Sequence, residues 1–377
     1  MEQPNFMWHE LVITNASFLV CFAMVIAARH WPRLAGRPAD MSAVQSAHTR
    51  MTPRTGGVSI LAALLAVLYF APREVKTTYA CILFSSCFVF VAGLLEDLGF
   101  GVSPRNRLLA AIFSSLAVIG VGKIWLPQLG IPPLDHLASL WLVGVPLTLL
   151  VTAGLANGFN LIDGVNGLAG FTAITAVVSM SFIARSAGLG NLADLALMFA
   201  AGIFGFWIVN YPSGVIFLGD AGAYILGFLL GWLGIVILVQ APAATPWALL
   251  LTVFWPVADT VLAIYRRRSR KQAKMQPDRL HVHQLMMRAL ELLWLGRERR
   301  NISNPLTTLA LAPKIVAPAA VGVLLWNQPL YAFIAMVLFS ALFVSSYFMA
   351  FPALRKLLPR MERRRERRQV IEAGRNV

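Results

Sequence analysis

This sequence predicts an all-α, polytopic transmembrane helical bundle of about eleven spans, with a periplasmic N-terminus and a cytoplasmic C-terminus. Three features point there: an excess of apolar residues, their grouping into stretches of bilayer length, and Lys and Arg concentrated in alternate loops. Of 377 residues, 58% are hydrophobic and 13% charged, where a water-soluble domain is about half apolar and about a quarter charged. The mean hydropathy of +0.69 has the same meaning, because so much apolar surface needs a solvent other than water.

A crossing helix needs roughly 20 apolar residues, about 17 to 25 with tilt. The first such stretch, 11–29, reads as a retained span, since no basic residue precedes Arg29 as a cleaved signal peptide would require. The next pairs are 57–72 with 77–95, 108–127 with 137–156, and 168–184 with 192–210. They are followed by 221–240 with 246–265 and 306–326 with 329–352. Short connectors at 73–76, 128–136, 185–191, 241–245 and 327–328, rich in Pro, Gly and Ala, suit tight returns. The tenth stretch is the weakest: Lys314, Pro305, Pro313 and Pro318 interrupt it and favour a kink or shift.

The formal charge is +15, and 27 of the 32 Lys and Arg fall in four segments: Arg29–Arg54, Glu96–Arg107, Arg266–Arg300 and Arg355–Val377. All four lie on one side of the threaded chain. Short loops rich in Lys and Arg stay in the cytoplasm, which sets the orientation and explains the basicity without a nucleic-acid partner. One membrane-embedded domain, 1–354, with a large cytoplasmic loop 266–305, is expected to precede a basic cytoplasmic tail, 355–377. The tail's ERRRERR run, Glu362 to Arg368, suits either a surface helix on anionic lipid or a disordered segment. Cys21, Cys81 and Cys87 lie in apolar stretches and form neither a disulfide framework nor a zinc pattern.

Ionisable groups at membrane spans are costly and mark function or a partner, and Glu96, Asp97, Asp163, Asp220 and Asp259 all fall at predicted cytoplasmic ends. In GLLEDLGFGVSPRNRL, the Glu96–Asp97 pair could bind a divalent cation or divide base and metal roles, or simply pair with Arg105 or Arg107. In NGFNLIDGVNGLAG, Asn157, Asn160, Asp163 and Asn166 recur every three residues among glycines. Such a strip can hydrogen-bond a nucleotide or phosphate, whether on a helix face or a tight loop, although Asn, Asp and Gly also make ordinary turns. FLGDAGAYILGF places Asp220 where a span begins, either as an N-cap or as a carboxylate presented to a metal beside a phosphate-favouring helix terminus. In PDRLHVHQLMMR, His281 and His283 lack further soft ligands for zinc, and with Arg279 they suit a diphosphate better. HTRMTPRTGGVSI brings Arg50, Arg54 and two glycines to the second span, although positive-inside topology explains those arginines too.

From about His48 to Arg288, the order and wording of these motifs resemble the polyprenyl-phosphate N-acetylhexosamine-1-phosphate transferases of glycosyltransferase family 4. The resemblance implies transfer of a sugar-1-phosphate from a UDP-sugar to undecaprenyl phosphate, with Mg2+ (Mn2+ as an alternative), at the cytoplasmic face of a bacterial inner membrane. It implies Asp220 as the principal metal ligand with Asp97 beside it, and Glu96, Asp97 and Asp163 as catalytic groups. Asn157, Asn160, Asn166, His281, His283, Arg279 and Arg54 would bind substrate, and a homodimer is allowed by analogy. The chain departs from the pattern at Glu96, usually Asp, and at Asn166, often Asp, which leaves the sugar open. The competing reading is a transporter or flippase of a lipid-linked sugar. It calls for polar groups near mid-bilayer and an inverted repeat, and neither is visible in the sequence. A transferase using a CDP-activated donor fits less well, because its aspartates would be gathered in one compact motif.

Overall fold

The computed structural model describes residues 4–35, 52–269 and 280–349, and among these residues every regular element is helical. The expected tail, 355–377, lies outside the described residues, as do Arg279, His48 and Arg50.

Helix α1, Pro4–His30, leads to α2, Gly56–Phe70. A near-continuous rod follows, made of α3, Arg73–Ser85, and α4, Cys87–Asp97. Helices α5, Pro104–Gly122, and the short α6, Pro132–Ser139, precede α7, Trp141–Ile162. Then come α8, Leu168–Ser186, α9, Gly190–Asn210, and α10, Gly219–Gln240. Helices α11, Pro246–Thr252, and α12, Phe254–Ser269, are followed by α13, Val282–Leu290, and α14, Arg300–Leu324. The last described helix is α15, Pro329–Met349.

With the α3–α4 rod counted as one, nine of the described helices are long and apolar enough to cross a membrane, and ten crossings result if the bent α11–α12 pair is one span. The expected count of about eleven differs from this in two places. Helix α2 has 15 residues and is about 22 Å long, short of the roughly 30 Å hydrocarbon core. The expected span at 246–265 is broken by 86° between α11 and α12. The proline-interrupted stretch around Lys314 is nonetheless one helix of 25 residues, and Lys314 Nζ donates to Ser346 Oγ on α15 at 3.0 Å.

Helix α10 is the hub. Every residue from Gly219 to Leu238 is buried, so it is apolar all round, as a helix enclosed by other helices should be. Small residues let its neighbours come close: a Cβ on Gly57 of α2 would lie 2.4 Å from Gly222 N, and one on Gly93 of α4 2.6 Å from Ala221 Cα. Close approach through small residues is the usual packing device between membrane helices. Here it draws the ends of α2 and α4 onto the first turn of α10. Backbone hydrogen bonds reinforce that end, with Gly56 N to Phe217 O at 2.9 Å, Gly57 N to Leu218 O at 2.8 Å and Phe217 N to Pro53 O at 2.8 Å. The opposite end is closed by connectors, where Gln128 Nε2 donates to Ala244 O at 2.8 Å and Trp247 Nε1 to Gly130 O at 3.0 Å.

Candidate functional site at the N-terminus of α10

The first residues of α10 bring together orphan N–H groups, a positive dipole end and two acidic neighbours. Gly219 adopts φ +73°, and a Cβ there would lie 2.0 Å from Arg54 O and 2.6 Å from Asp97 Oδ2, so only glycine fits the turn. Asp97, the last residue of α4 and 3% exposed, closes the helix end. Its Oδ1 accepts from Asp220 N at 2.9 Å and its Oδ2 from Ala221 N at 2.9 Å. The carboxylate expected to be a base or metal ligand thus serves as a cap supplied from a distant segment. Glu96, one residue earlier and so about 100° round the helix, is half-buried.

Asp220 does not cap its own helix. Its Oδ1 accepts from Arg54 Nη2 at 2.9 Å and from Asn160 Nδ2 at 2.9 Å, and Oδ2 pairs with Arg107 Nη1. Arg54 also reaches Asp97, Nε to Oδ1 at 3.4 Å, while the Arg107 guanidinium lies 5.7 Å from the centre of the Tyr224 ring. In sequence, Arg107 reads only as a loop cation beside Arg105, either of them a partner for the Glu96–Asp97 carboxylates. Its actual partner is 113 residues away in sequence, which no local pattern could have shown.

The second motif is half helix and half turn. Helix α7 runs through Ile162, so Asn157 and Asn160 share a face of it; Asn157 Oδ1 accepts from Tyr224 Oη at 3.4 Å. Asp163 ends the helix, half-buried. Desolvation pushes its carboxyl up to about 7, against the downward pull of the Arg54 charge and the Gly219 N–H. Asn166 is built into the protein instead. Its N–H donates to Asn304 Oδ1 at 2.7 Å, its Nδ2 to Pro212 O at 2.8 Å, and its carbonyl accepts from Thr308 Oγ1 at 2.7 Å. Asn210 Oδ1 accepts the next N–H, of Gly167, at 2.6 Å. These four residues brace the turn beneath Asp163.

The two histidines stack beside that turn, ring centroids 5.7 Å apart and 17° from parallel. His281 Nδ1 is 2.7 Å from Asp259 Oδ2. His283 packs onto Gly164, where a Cβ would lie 2.3 Å from Nε2. Burial of His283 lowers its pKa to about 4, despite the Asp259 carboxylate and helped by His281, so the ring is neutral at physiological pH.

The structure thus brings Arg54, Asp97, Asn160, Asp163 and Asp220 together around one helix terminus, with Asn157 and the histidines beside it. Among the described residues, no three His, Cys, Asp or Glu side chains surround a common point. Magnesium asks for less, since it is commonly held by one or two carboxylates plus substrate phosphates and water. The hard oxygens of Asp220 and Asp163, next to guanidinium groups suited to phosphate, fit that demand.

Comparisons with known proteins converge on the same region. A profile described as glycosyl transferase family 4 matches residues 79–238. The chain is 27% identical to a probable undecaprenyl-phosphate N-acetylglucosaminyl 1-phosphate transferase of Bacillus subtilis (strain 168), over 66% of this chain and 69% of that protein. It is 26% identical to the undecaprenyl-phosphate alpha-N-acetylglucosaminyl 1-phosphate transferase of Yersinia pestis, over 72% of this chain and 75% of the relative. It is 27% identical to the enzyme of the same name from Escherichia coli (strain K12), over 64% and 67%. The matched stretch, residues 79–238, holds Asp97, Arg107, Asn160, Asp163 and Asp220, and over it the chain is similar to glycosyl transferase family 4.

Proposed function

We propose that this protein transfers an N-acetylhexosamine-type sugar-1-phosphate from a UDP-sugar to undecaprenyl phosphate, giving undecaprenyl-diphospho-sugar and UMP and starting a cell-envelope polysaccharide. The observation that carries the reading is the meeting of carboxylates, amides and guanidinium groups from separate segments at the N-terminus of α10, in a chain whose relatives are named as undecaprenyl-phosphate N-acetylglucosaminyl 1-phosphate transferases. The site would face the cytoplasm of a bacterial inner membrane, where nucleotide sugars are available and where the basic loops belong by the positive-inside rule.

Both substrates are phosphates, so the main task is to bring two anions into line and to offset their charge. Arg54 and Arg107 rest on Asp220, and a diphosphate can compete for the same guanidinium donors, each capable of a two-pronged grip on phosphate oxygens. Asn157 and Asn160 offer amides that both donate and accept, as a sugar or base requires. A phosphate monoester has its second pKa at about 6, so the attacking lipid oxygen is largely ionised at neutral pH. Magnesium held at Asp220 and Asp163, with manganese as an alternative, would neutralise the diphosphate and ease the departure of UMP.

The test is to incubate purified protein with undecaprenyl phosphate, magnesium and a panel of UDP- and other nucleotide-activated sugars, and to measure nucleoside monophosphate release. UMP release with one UDP-amino sugar is expected and identifies the donor. Folded protein that releases no nucleotide with any donor overturns the reading. A reporter fused after Val377 should be active only in the cytoplasm; periplasmic activity would reverse the orientation.

A further inference from the structure

Asp259 is a fully buried acid on α12, 0% exposed, to which the proposed transfer gives no task. Its Oδ2 is 2.7 Å from His281 Nδ1, and its Oδ1 accepts from the backbone N–H of Val282 at 3.3 Å. The two contacts fix both the ring and the chain that carries it. An ionised carboxylate only accepts hydrogen bonds, so Nδ1 keeps its proton toward Asp259 and Nε2 becomes the working nitrogen. That Nε2 is buried without a hydrogen-bond partner, on a residue 2% exposed. Buried polar atoms almost always find partners, and an orphan asks what would fill the role. The neighbouring His283 ring touches Gly164, next to Asp163, so the orphan nitrogen belongs to the same end of the bundle as the candidate site.

We infer that Asp259 is a positioning residue that acts through His281, holding the imidazole so that Nε2 donates to a phosphate oxygen of the bound substrate. The inference rests on the phosphate-transfer reading above. A phosphate oxygen is an acceptor, so the ring must be protonated while it is bound, and the Asp259 carboxylate offsets that charge inside the protein. The phosphate is the nucleotide's or the lipid's, and the chemistry at Nε2 is the same for both. Asp259 lies 22 residues before His281 in sequence, across residues 270–279, so neither motif announces the other.

The experiment compares the full-length protein with Asp259→Asn, His281→Asn and the double variant. It measures thermal unfolding, kcat, and separate KM values for the nucleotide sugar and for undecaprenyl phosphate. Asp259→Asn keeps an acceptor oxygen but removes the charge. It should lower kcat about 10–100-fold, the scale of loss when the carboxylate that orients a metal-bound imidazole is removed. Adding it to His281→Asn should cost nothing more, because its route of action is already gone. The KM that rises identifies which phosphate Nε2 meets. Losses that multiply in the double variant, or an Asp259→Asn protein that fails to fold while His281→Asn folds, would make Asp259 architectural and overturn the inference. Turnover by Asp259→Asn equal to the unaltered protein would also reject it, leaving the transfer activity standing. No turnover by the unaltered protein rejects the activity first and the inference with it.

Discussion

Replacing Asp97 by Asn separates a cap from a catalyst. The carboxylate accepts two backbone N–H groups at the buried start of α10 and a contact from Arg54. A hydrogen bond to a charged group contributes about 1.5–3 kcal/mol. The amide of Asn can still accept one N–H, as a weaker neutral bond, but it turns an NH2 toward the other. That leaves a buried donor unsatisfied at a cost of about 1–3 kcal/mol. Allowing for partial relaxation, Asp97→Asn should lose about 2–4 kcal/mol, at or above the top of the range for ordinary helix caps. Unfolding titrations in mixed micelles would read this directly, with UMP release measured on the same preparations. Glu96→Gln, at a half-buried position, should be much milder in stability. An Asp97→Asn protein as stable as the unaltered one would refute the capping argument, and activity lost without any loss of stability would return Asp97 to a catalytic role.

Asp220→Asn should abolish metal-dependent turnover while the protein stays folded, and should weaken the Mn2+ binding seen by electron paramagnetic resonance; full activity would sink the metal assignment. Gly164→Ala places a methyl group 2.3 Å from His283 Nε2 and should lower kcat about 10–100-fold by displacing the ring, so unchanged kinetics would show that His283 is not used. The Asp163 carboxyl is raised from 3.8 to about 7 in the fold, so between those values the native state holds more protons than the unfolded chain. Its contribution to stability therefore falls as pH rises from 3.8 towards 7. Asp163→Asn should flatten that part of the stability profile, and an unchanged slope would place the titration elsewhere.

The membrane architecture was legible because it depends on one-dimensional quantities: run length and hydropathy. The same holds for the polar motifs, since Asn157, Asn160, Asp163 and Asp220 stand out against an apolar background whatever they touch. Their roles were not equally legible. Asn166 reads as part of the same strip as Asn157 and Asn160, yet α7 stops at Ile162, and the change from helix to turn sends Asn166 into contacts with Asn304, Pro212 and Thr308. The span at 246–265 reads as continuous because hydropathy does not register an 86° break.

By itself, then, the sequence determined that the chain spans a membrane repeatedly and that its polar motifs lie at the ends of certain helices. Burial in lipid demands long apolar runs, and charge is tolerated only where water or a partner can reach it. Only the tertiary structure decided which acid does what. Asp97 caps a helix that begins 122 residues later, Arg107 pairs with Asp220, and Asp259 holds His281. These partnerships follow from small residues letting α2 and α4 pack closely on α10, and the distance between partners along the chain carries no trace of it.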